Sequence, residues 1–522
     1  MHVAHFVHRS AQRWPDRPLW LGLDFQISYR EGSRRLNRIA RQLLQRGKPG
    51  DRVAILSANR FEAFEIYLAA MNAGMAAVPL NPKLHALEHA YMIADSGAAF
   101  VVFSPEHAAS LDSVRADLPL VRHWVEMTHE PPTGTLPYAD LLVGEDNSLP
   151  DVVIEPDTLA WLFYTSGTTG KPKGAMETHR NLVTMVQQFL LGVLRDANEF
   201  DVILHTAPIA HGTASVGLAH LAVGAAQTFP TSANFDPRHI FDLIEKLKVT
   251  SSFLAPTMVQ MLLDDPARTS HDLTTLKNVV YGGGPMYVEL LKQALQAFGP
   301  VFHQIYGQGE APMTCAAMPK WEVSVDNIAD AAALRRLASA GREMPGVRLR
   351  IVDEEDHDVP SGQPGEILVR SDLVMTGYWN RPEASEETLR GGWLHTGDVG
   401  HLDEEGYLYI TDRKKDLIIS GGSNIYPREV EEVLLAHPAV SEACVIGVPD
   451  LKWGEAVKAF VVMREGVEVA ESELIAFCLS HMASYKKPKS VEFVAALPKS
   501  AYGKVLKREL RDKFWTDKGQ RV

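Results

Sequence analysis

Tyr164-Thr-Ser-Gly-Thr-Thr-Gly-Lys-Pro-Lys-Gly174 decides how the rest of the chain is read. A run of strand character, 158–163, leads straight into it. Its eleven residues carry four hydroxyls besides Tyr164, three glycines and two lysines. Glycine lets a backbone fold tightly enough to turn successive N–H groups toward one anion. Hydroxyl and ammonium groups then reach the oxygens of the same anion. A phosphate-binding loop is therefore expected behind a buried strand. The G-x-x-x-x-G-K-[ST] spacing of the Walker loop is absent, which excludes that class of nucleotide site. A flexible linker would share the glycines and hydroxyls, but not Lys171-Pro-Lys-Gly174 directly after a buried strand.

Composition sets the frame around this loop. The 522 residues, at roughly 100–200 per domain, allow two to four folding units. Hydrophobic residues at 46% and charged residues at 22% describe a folded chain, not a disordered one. Fifty-two basic against 65 acidic residues give a net charge of −13. That balance argues against nucleic acid as the main partner, while leaving room for a local basic patch around an anionic cofactor. Cys315, Cys444 and Cys478 form no C-x-x-C pair, so neither a disulfide framework nor a structural zinc site is expected. No basic segment precedes an apolar core at the start, and the last residues form neither a peroxisomal address nor a prenylation box. The richest apolar window, 66–78, carries Asn72 and Gly74 and falls short of the roughly 18 residues of a membrane span. A cytoplasmic protein with no transmembrane segment is expected.

Helix and strand patterns alternate through the first third. The stretch 35–46 puts Leu36, Ile39, Ala40, Leu43 and Leu44 on one helical face, and 53–56 and Phe100–Phe103 are short apolar runs of buried-strand type. Such alternation predicts parallel sheets with helices on both faces. Strands are expected at 202–206 and 252–254, and a helix over Pro237–Leu247. From about residue 346 the texture changes to strand-like segments, 347–353, Gly365–Arg370 and 406–411, separated by turn residues. The charged run Asp412-Arg-Lys-Lys-Asp416 marks the expected boundary between domains at 1–412 and 413–522. Beyond it a helix from Pro427, strands at 443–447 and 458–463, a helix over 472–481 and a strand at 491–495 suffice for a small α+β domain. The fold class is α/β: a large N-terminal domain of αβ sheets with a β-rich subdomain, and a small mobile α+β C-terminal domain.

Further segments in chain order make a resemblance plain. Thr178-His179-Arg180-Asn181 opens a helix after the loop; Pro208-Ile-Ala-His-Gly212, Tyr281-Gly-Gly-Gly-Pro-Met286, Tyr306-Gly-Gln-Gly-Glu310, Trp393-Leu-His-Thr-Gly-Asp398 and Leu497-Pro-Lys-Ser-Ala-Tyr-Gly-Lys504 follow. Together with the first loop and Asp412–Asp416 they resemble the signatures of the acyl-adenylate-forming superfamily, which includes acyl-CoA synthetases, firefly-luciferase-like enzymes and peptide-synthetase adenylation domains.

The resemblance implies ATP, magnesium and coenzyme A as cofactor and co-substrates, with Lys504, Glu310 and His211 as catalytic residues. Thr165, Ser166, Gly167, Thr168, Thr169, Gly170, Lys171 and Lys173 would hold phosphates. Gly283, Gly284 and Pro285 would wall the adenine, with Tyr306, Gly307, Gln308 and Gly309 beside it. Asp398, Ile410 and Arg413 would meet the ribose and phosphate. Glu310 and Thr168 would ligate magnesium, a hard cation that favours oxygen. A carboxylate after a Thr-Gly turn, as at Asp398, can accept two ribose hydroxyls. Lys415 takes the hinge position. Gly421 and Gly422 would let pantetheine approach the backbone, Trp453 would stack on the coenzyme's adenine, and Tyr485 with Lys486, Lys487 and Lys489 suits its 3′-phosphate.

Substrate choice is less legible. The acyl pocket is expected from His211, Gly212, Val216, Gly282, Gly283, Gly284, Gln308, Gly309 and Met313. No Arg or Lys stands among them, which counts against dicarboxylates, and no Asp lies at 210–216, which counts against amino acids. An apolar acid remains, medium- or long-chain fatty or aromatic. A carrier-charging domain, a luciferase-like oxidase and a non-enzymatic ATP-binding regulator are the alternatives. A homodimer is compatible with the reading, and acetylation of Lys504 is a family-style off-switch.

Overall fold

Apolar strand runs and amphipathic helices in alternation leave a chain no economical choice but layered sheets, and two large ones form. The computed structural model describes residues 2–128, 132–165, 171–232, 234–284, 286–323, 331–413, 416–420, 423–450, 452–467, 469–499 and 505–515, with backbone alone at 331–332, 412–413 and 423–424. A seven-stranded sheet runs Leu136–Pro137, His123–Glu126, Phe100–Phe103, Arg52–Leu56, Ala76–Leu80, Leu159–Thr165, Lys173–Thr178. It is parallel except for its last pair. A nine-stranded sheet has a parallel centre at Ser251–Leu254, Asn278–Tyr281 and Phe302–Gln308, and turns antiparallel at Ala311–Met318.

The helices between these sheets explain the apolar window at 66–78. Phe61–Asn72 buries ten of its twelve residues, and Gly212–Ala222 buries all eleven. Helices apolar all round belong inside a protein, and these two are sandwiched rather than surface-lying. One hydrophobic cluster joins residues from both sheets, including Val53, Phe100, Ile203 and Val280. Among the described residues no helix is long and apolar enough to cross a membrane.

The β-rich stretch forms a four-stranded antiparallel sheet: Arg348–Val352, Gly365–Arg370, Leu394–Leu402, Leu408–Arg413. After it, Ser423–Ile425, Ile418–Ser420, Gly454–Met463 and Val440–Asp450 build a further sheet, with Ser490–Phe493 parallel to Gly454–Met463. Pro427–Leu435 and Glu471–His481 pack against one another beside it.

Several predicted bounds shift, each for a visible reason. The helix expected at 35–46 begins at Tyr29, because Ser28 caps it by accepting from Glu31 N. The strand expected at 406–411 is Leu408–Arg413, since Gly406 at φ +80° belongs to the turn. The strand expected at 443–447 extends over Val440–Asp450, paired through to Gly454. Val202–Leu204 ends before 206, where Thr206 turns its hydroxyl to Phe253 O.

Candidate active site

The strands that flank the expected phosphate loop form a hairpin. Leu159–Thr165 and Lys173–Thr178 pair antiparallel with Thr165 opposite Lys173. Ser166, Gly167, Thr168, Thr169 and Gly170 lie between these strands and outside the described residues. Alternation divides the hairpin: Leu162, Tyr164 and Met176 join one cluster, while Trp161 and Phe163 belong to the core between the sheets. Thr178 and Asn181 form a reciprocal capping box that starts the following helix, His179–Gln188. The Thr-His-Arg-Asn segment therefore serves helix initiation, and Asn181 also donates to Asp372 O and Val374 O.

Thr165 meets Glu310 across the site. Its Oγ1 donates to Glu310 Oε1 at 3.0 Å, and the Tyr378 hydroxyl donates to the same oxygen at 2.7 Å. Glu310 is only 8% exposed. Among the described residues both of its hydrogen bonds fall on Oε1, so Oε2 is the oxygen fitted to a hard cation. Gly309 is required here: a Cβ would lie 2.2 Å from Thr165 Cγ2 and strike the Phe163 ring.

Tyr378 was invisible in the sequence, as was the strap that carries it. Met375 N donates to Glu310 O, and Trp379 N donates to Gly174 O. Trp379 Nε1 donates to Asp95 O, and Arg381 pairs with the Asp95 carboxylate at 2.8 Å. Tyr164 donates to the other Asp95 oxygen at 2.8 Å. Lys171 lies 5.2 Å from the Tyr91 ring and Lys173 lies 4.9 Å from the Tyr378 ring. One strap thus fixes both sides of the phosphate-loop hairpin. The available signal was Gly377-Tyr-Trp-Asn380, an aromatic pair behind a glycine held at φ +141°.

A second buried carboxylate sits nearby. Tyr306 donates to Asp398 Oδ2 at 2.8 Å, and Asp398 is 7% exposed. Burial, and then the adjacent Asp398 charge, push the Tyr306 phenol well above its ordinary range, so it stays a donor. Gln308 Nε2 reaches Thr396 O in the turn that presents Asp398. Asp398 is in register with Arg413 on the neighbouring strand, and Ile410 lies on that strand too. The glycine run follows the Asn278–Tyr281 strand. Gly283 has φ +80° and open space for 4 Å around the point where a Cβ would stand, and at Gly284 a Cβ would meet only Pro256 Cδ, 3.9 Å away. Gly307 is packed tightly, with a Cβ falling 2.4 Å from Met313 N.

The expected acyl-pocket residues cluster on this same side. His211 stacks on Phe163 with centroids 5.6 Å apart and planes at 16°. Met313 has φ +68°, a left-handed conformation costly for a side chain with a Cβ. Its Cε fills the space a Cβ on Gly212 would need, 2.7 Å away. Val216 is fully buried one turn further along the Gly212–Ala222 helix.

The described coenzyme candidates lie in turns, Trp453 just before the Gly454–Met463 strand and Lys487 just before Ser490–Phe493. Trp453 is 43% exposed, with Lys452 4.7 Å and Lys489 5.5 Å from its ring. Lys486 is paired with Glu429 and Lys489 with Asp450, so Lys487 is the lysine of that run without a described ion pair. Pro285, Lys415, Gly421, Gly422 and Lys504 lie outside the described residues, as does the Arg413 side chain. Across from the glycine run, Tyr287 donates to Glu431 Oε2 at 3.3 Å. Glu431 Oε1 accepts from Val445 N and pairs with Lys507.

A hairpin braced against one buried carboxylate, with a second buried carboxylate held by a tyrosine beside it, is the framework of an enzyme of the adenylate-forming class. Residues 7–379 match the AMP-binding enzyme family and residues 429–504 match the AMP-binding enzyme C-terminal domain. The chain belongs to the AMP-binding enzyme family. It is 39% identical over 491 residues to a feruloyl-CoA synthase of Amycolatopsis sp, covering 94% of each chain. It is 33% identical over 540 residues to a medium/long-chain-fatty-acid–CoA ligase of Mycobacterium tuberculosis, covering all of this chain and 91% of that one. Its fold is similar to that of the amide bond synthetase McbA from Marinactinospora thermotolerans, with TM-score 0.89, 31% identity and coverage of 98% and 99%.

Proposed function

We propose that the protein joins an apolar carboxylic acid to coenzyme A through an acyl-adenylate. The observation that carries this reading is Glu310 and Asp398 held buried on adjoining segments, each by a tyrosine donor, beside the phosphate-loop hairpin. The relatives named above, which act on ferulate-type and fatty acids by name, support an apolar substrate of aromatic or fatty class.

In the first step a carboxylate oxygen attacks the α-phosphorus of ATP, a P–O bond forms, and pyrophosphate leaves. Positioning and charge neutralisation supply the catalysis. Thr165 through Lys173 hold the phosphates, Asp398 accepts from the ribose hydroxyls, and Glu310 with Thr168 would hold magnesium, which would neutralise phosphate charge. Lys504 bridges the carboxylate and the α-phosphate. In the second step the coenzyme's thiolate sulfur attacks the acyl carbon, a C–S bond forms, and AMP leaves. Trp453 and Lys487 take the coenzyme's nucleotide end, and the segment from about 413 onward swings about Lys415 to present Gly421 and Gly422. Cytoplasmic residence belongs to this proposal, supported by three buried, unbridged cysteines; action as a homodimer is compatible with it.

The test is AMP release from ATP and magnesium with fatty, aromatic, dicarboxylic and amino acids, each with and without coenzyme A. AMP formed with one apolar class and stimulated by coenzyme A supports the reading. AMP formed without such stimulation redirects it to a carrier protein or another acyl acceptor.

A further inference from the structure

Glu177 stands apart from the acids used above. It is 1% exposed, and neither carboxyl oxygen has a hydrogen-bond partner among the described residues. Buried polar groups are nearly always paired, so an unpaired one calls for an explanation. Burial, and then the charge of Glu310, hold this carboxyl well above the usual carboxylate range. Its oxygens are therefore buried acceptors that no described group satisfies.

Register fixes where it points. Directly paired residues of an antiparallel ladder share a face. Trp161 pairs with Glu177, Phe163 with Ala175 and Thr165 with Lys173. One row therefore begins at Thr165 on Glu310, passes Phe163 under His211, and ends at Trp161 and Glu177. Trp161 Nε1 is also buried without a partner among the described residues. At about 3.3 Å per residue, this polar pair lies roughly 13 Å along the row from Thr165. His211 covers Phe163 in this row, and Tyr67 meets the Trp161 ring edge-on with centroids 5.9 Å apart. Glu177 and Glu310 are close enough to act on each other, and Glu177 also acts on Cys315.

We propose that Glu177 and Trp161 form the polar far end of the acyl pocket and take a ring hydroxyl of an aromatic acid. The indole N–H donates to the hydroxyl oxygen, and the hydroxyl donates to a carboxyl oxygen of Glu177. The inference rests on the ligase reading and narrows its substrate from apolar acids at large to hydroxylated aryl acids. A plain alkyl chain ending there leaves both protein groups unpaired and is disfavoured for that reason.

The experiment measures kcat/KM for 4-hydroxycinnamate, cinnamate and decanoate in the full-length protein and in Glu177→Leu, Glu177→Gln and Trp161→Phe. The wild type is expected to favour the hydroxylated acid over cinnamate by roughly tenfold or more. Glu177→Leu brings that ratio near unity and improves decanoate; Glu177→Gln, which keeps an acceptor oxygen, retains most of it; Trp161→Phe lowers it. A merely structural Glu177 would scale all three acids together. If Glu177→Leu does not fold, Glu177→Gln against Trp161→Phe decides the matter. A wild-type ratio near unity, or a ratio unmoved by the variants, overturns the assignment while the ligase stands. AMP release with no acid of any class overturns the ligase reading and this inference with it.

Discussion

Tyr306→Phe isolates one hydrogen bond in the nucleotide site. The ring is kept, so packing against the core is kept, and only the hydroxyl that reaches Asp398 at 2.8 Å is lost. The phenol is neutral at working pH, since burial and Asp398 raise its pKa, so the substitution removes a donor and no charge. A hydrogen bond to a charged acceptor contributes about 1.5–3 kcal/mol, and Asp398 at 7% exposure has little water to replace it. Water admitted to the unliganded cleft recovers part of this, and the ribose displaces that water on binding. The lower end of the range is therefore expected, a rise of about tenfold in the KM and Kd for ATP. The turnover number should stay within a few-fold, because Tyr306 orients the carboxylate and does not touch the reacting phosphorus. Pyrophosphate release at varied ATP gives KM and kcat, and calorimetric titration with ATP gives Kd. ATP affinity within twofold of wild type refutes the orienting role. A hundredfold fall in kcat at unchanged KM refutes it differently, by moving Tyr306 into the chemistry.

Other outcomes follow from the same residues. Lys504→Ala should abolish pyrophosphate release while thioester formation from supplied acyl-adenylate survives; equal loss of both half-reactions removes that lysine from the first step. Lys415→Pro should spare adenylation and block thioester formation, and full turnover in that variant argues against domain alternation. Glu310→Gln should raise the magnesium needed for half-maximal rate, and an unchanged magnesium curve places the cation elsewhere. His179, His205 and His303 are held by burial at pKa values of about 3, against 6.5 for the free side chain. Their folded pKa values are depressed, so the stability they contribute is complete above pH 6.5 and is lost as pH falls from there toward 3. Each should cost about 1.4 kcal/mol between pH 7.5 and 5.5. Thermal melts across that interval test this, and a flat Tm contradicts it.

Sequence signals were sufficient where local residues marked both ends of an element. Pro237–Leu247 has proline at its first turn and an apolar stripe that ends at Leu247. Phe100–Phe103 is four buried apolar residues between turns. Glu310 and Asp398 were legible because glycines and aromatics surround them in short, ordered segments. Tyr378 and Asp95 were not, because their partners Glu310 and Arg381 lie 68 and 286 positions away and no local period links them. Glu177 was concealed differently: one acidic letter in a strand reads as a solvent-facing position, and only the pairing with Trp161 turns it inward.

Glu431 serves two masters with separate oxygens. Oε1 holds Val445 N and Lys507 within the C-terminal body, and Oε2 alone receives Tyr287 from the other side. Pulling the two sides apart at this point therefore leaves the C-terminal helix and strand as firmly joined as before. The severed bond is a long one, and a bond of that kind is worth about 0.5–1.5 kcal/mol, roughly one to two and a half times RT. A catch of that strength would slow parting by roughly a few-fold to tenfold, a delay compatible with the swing proposed above.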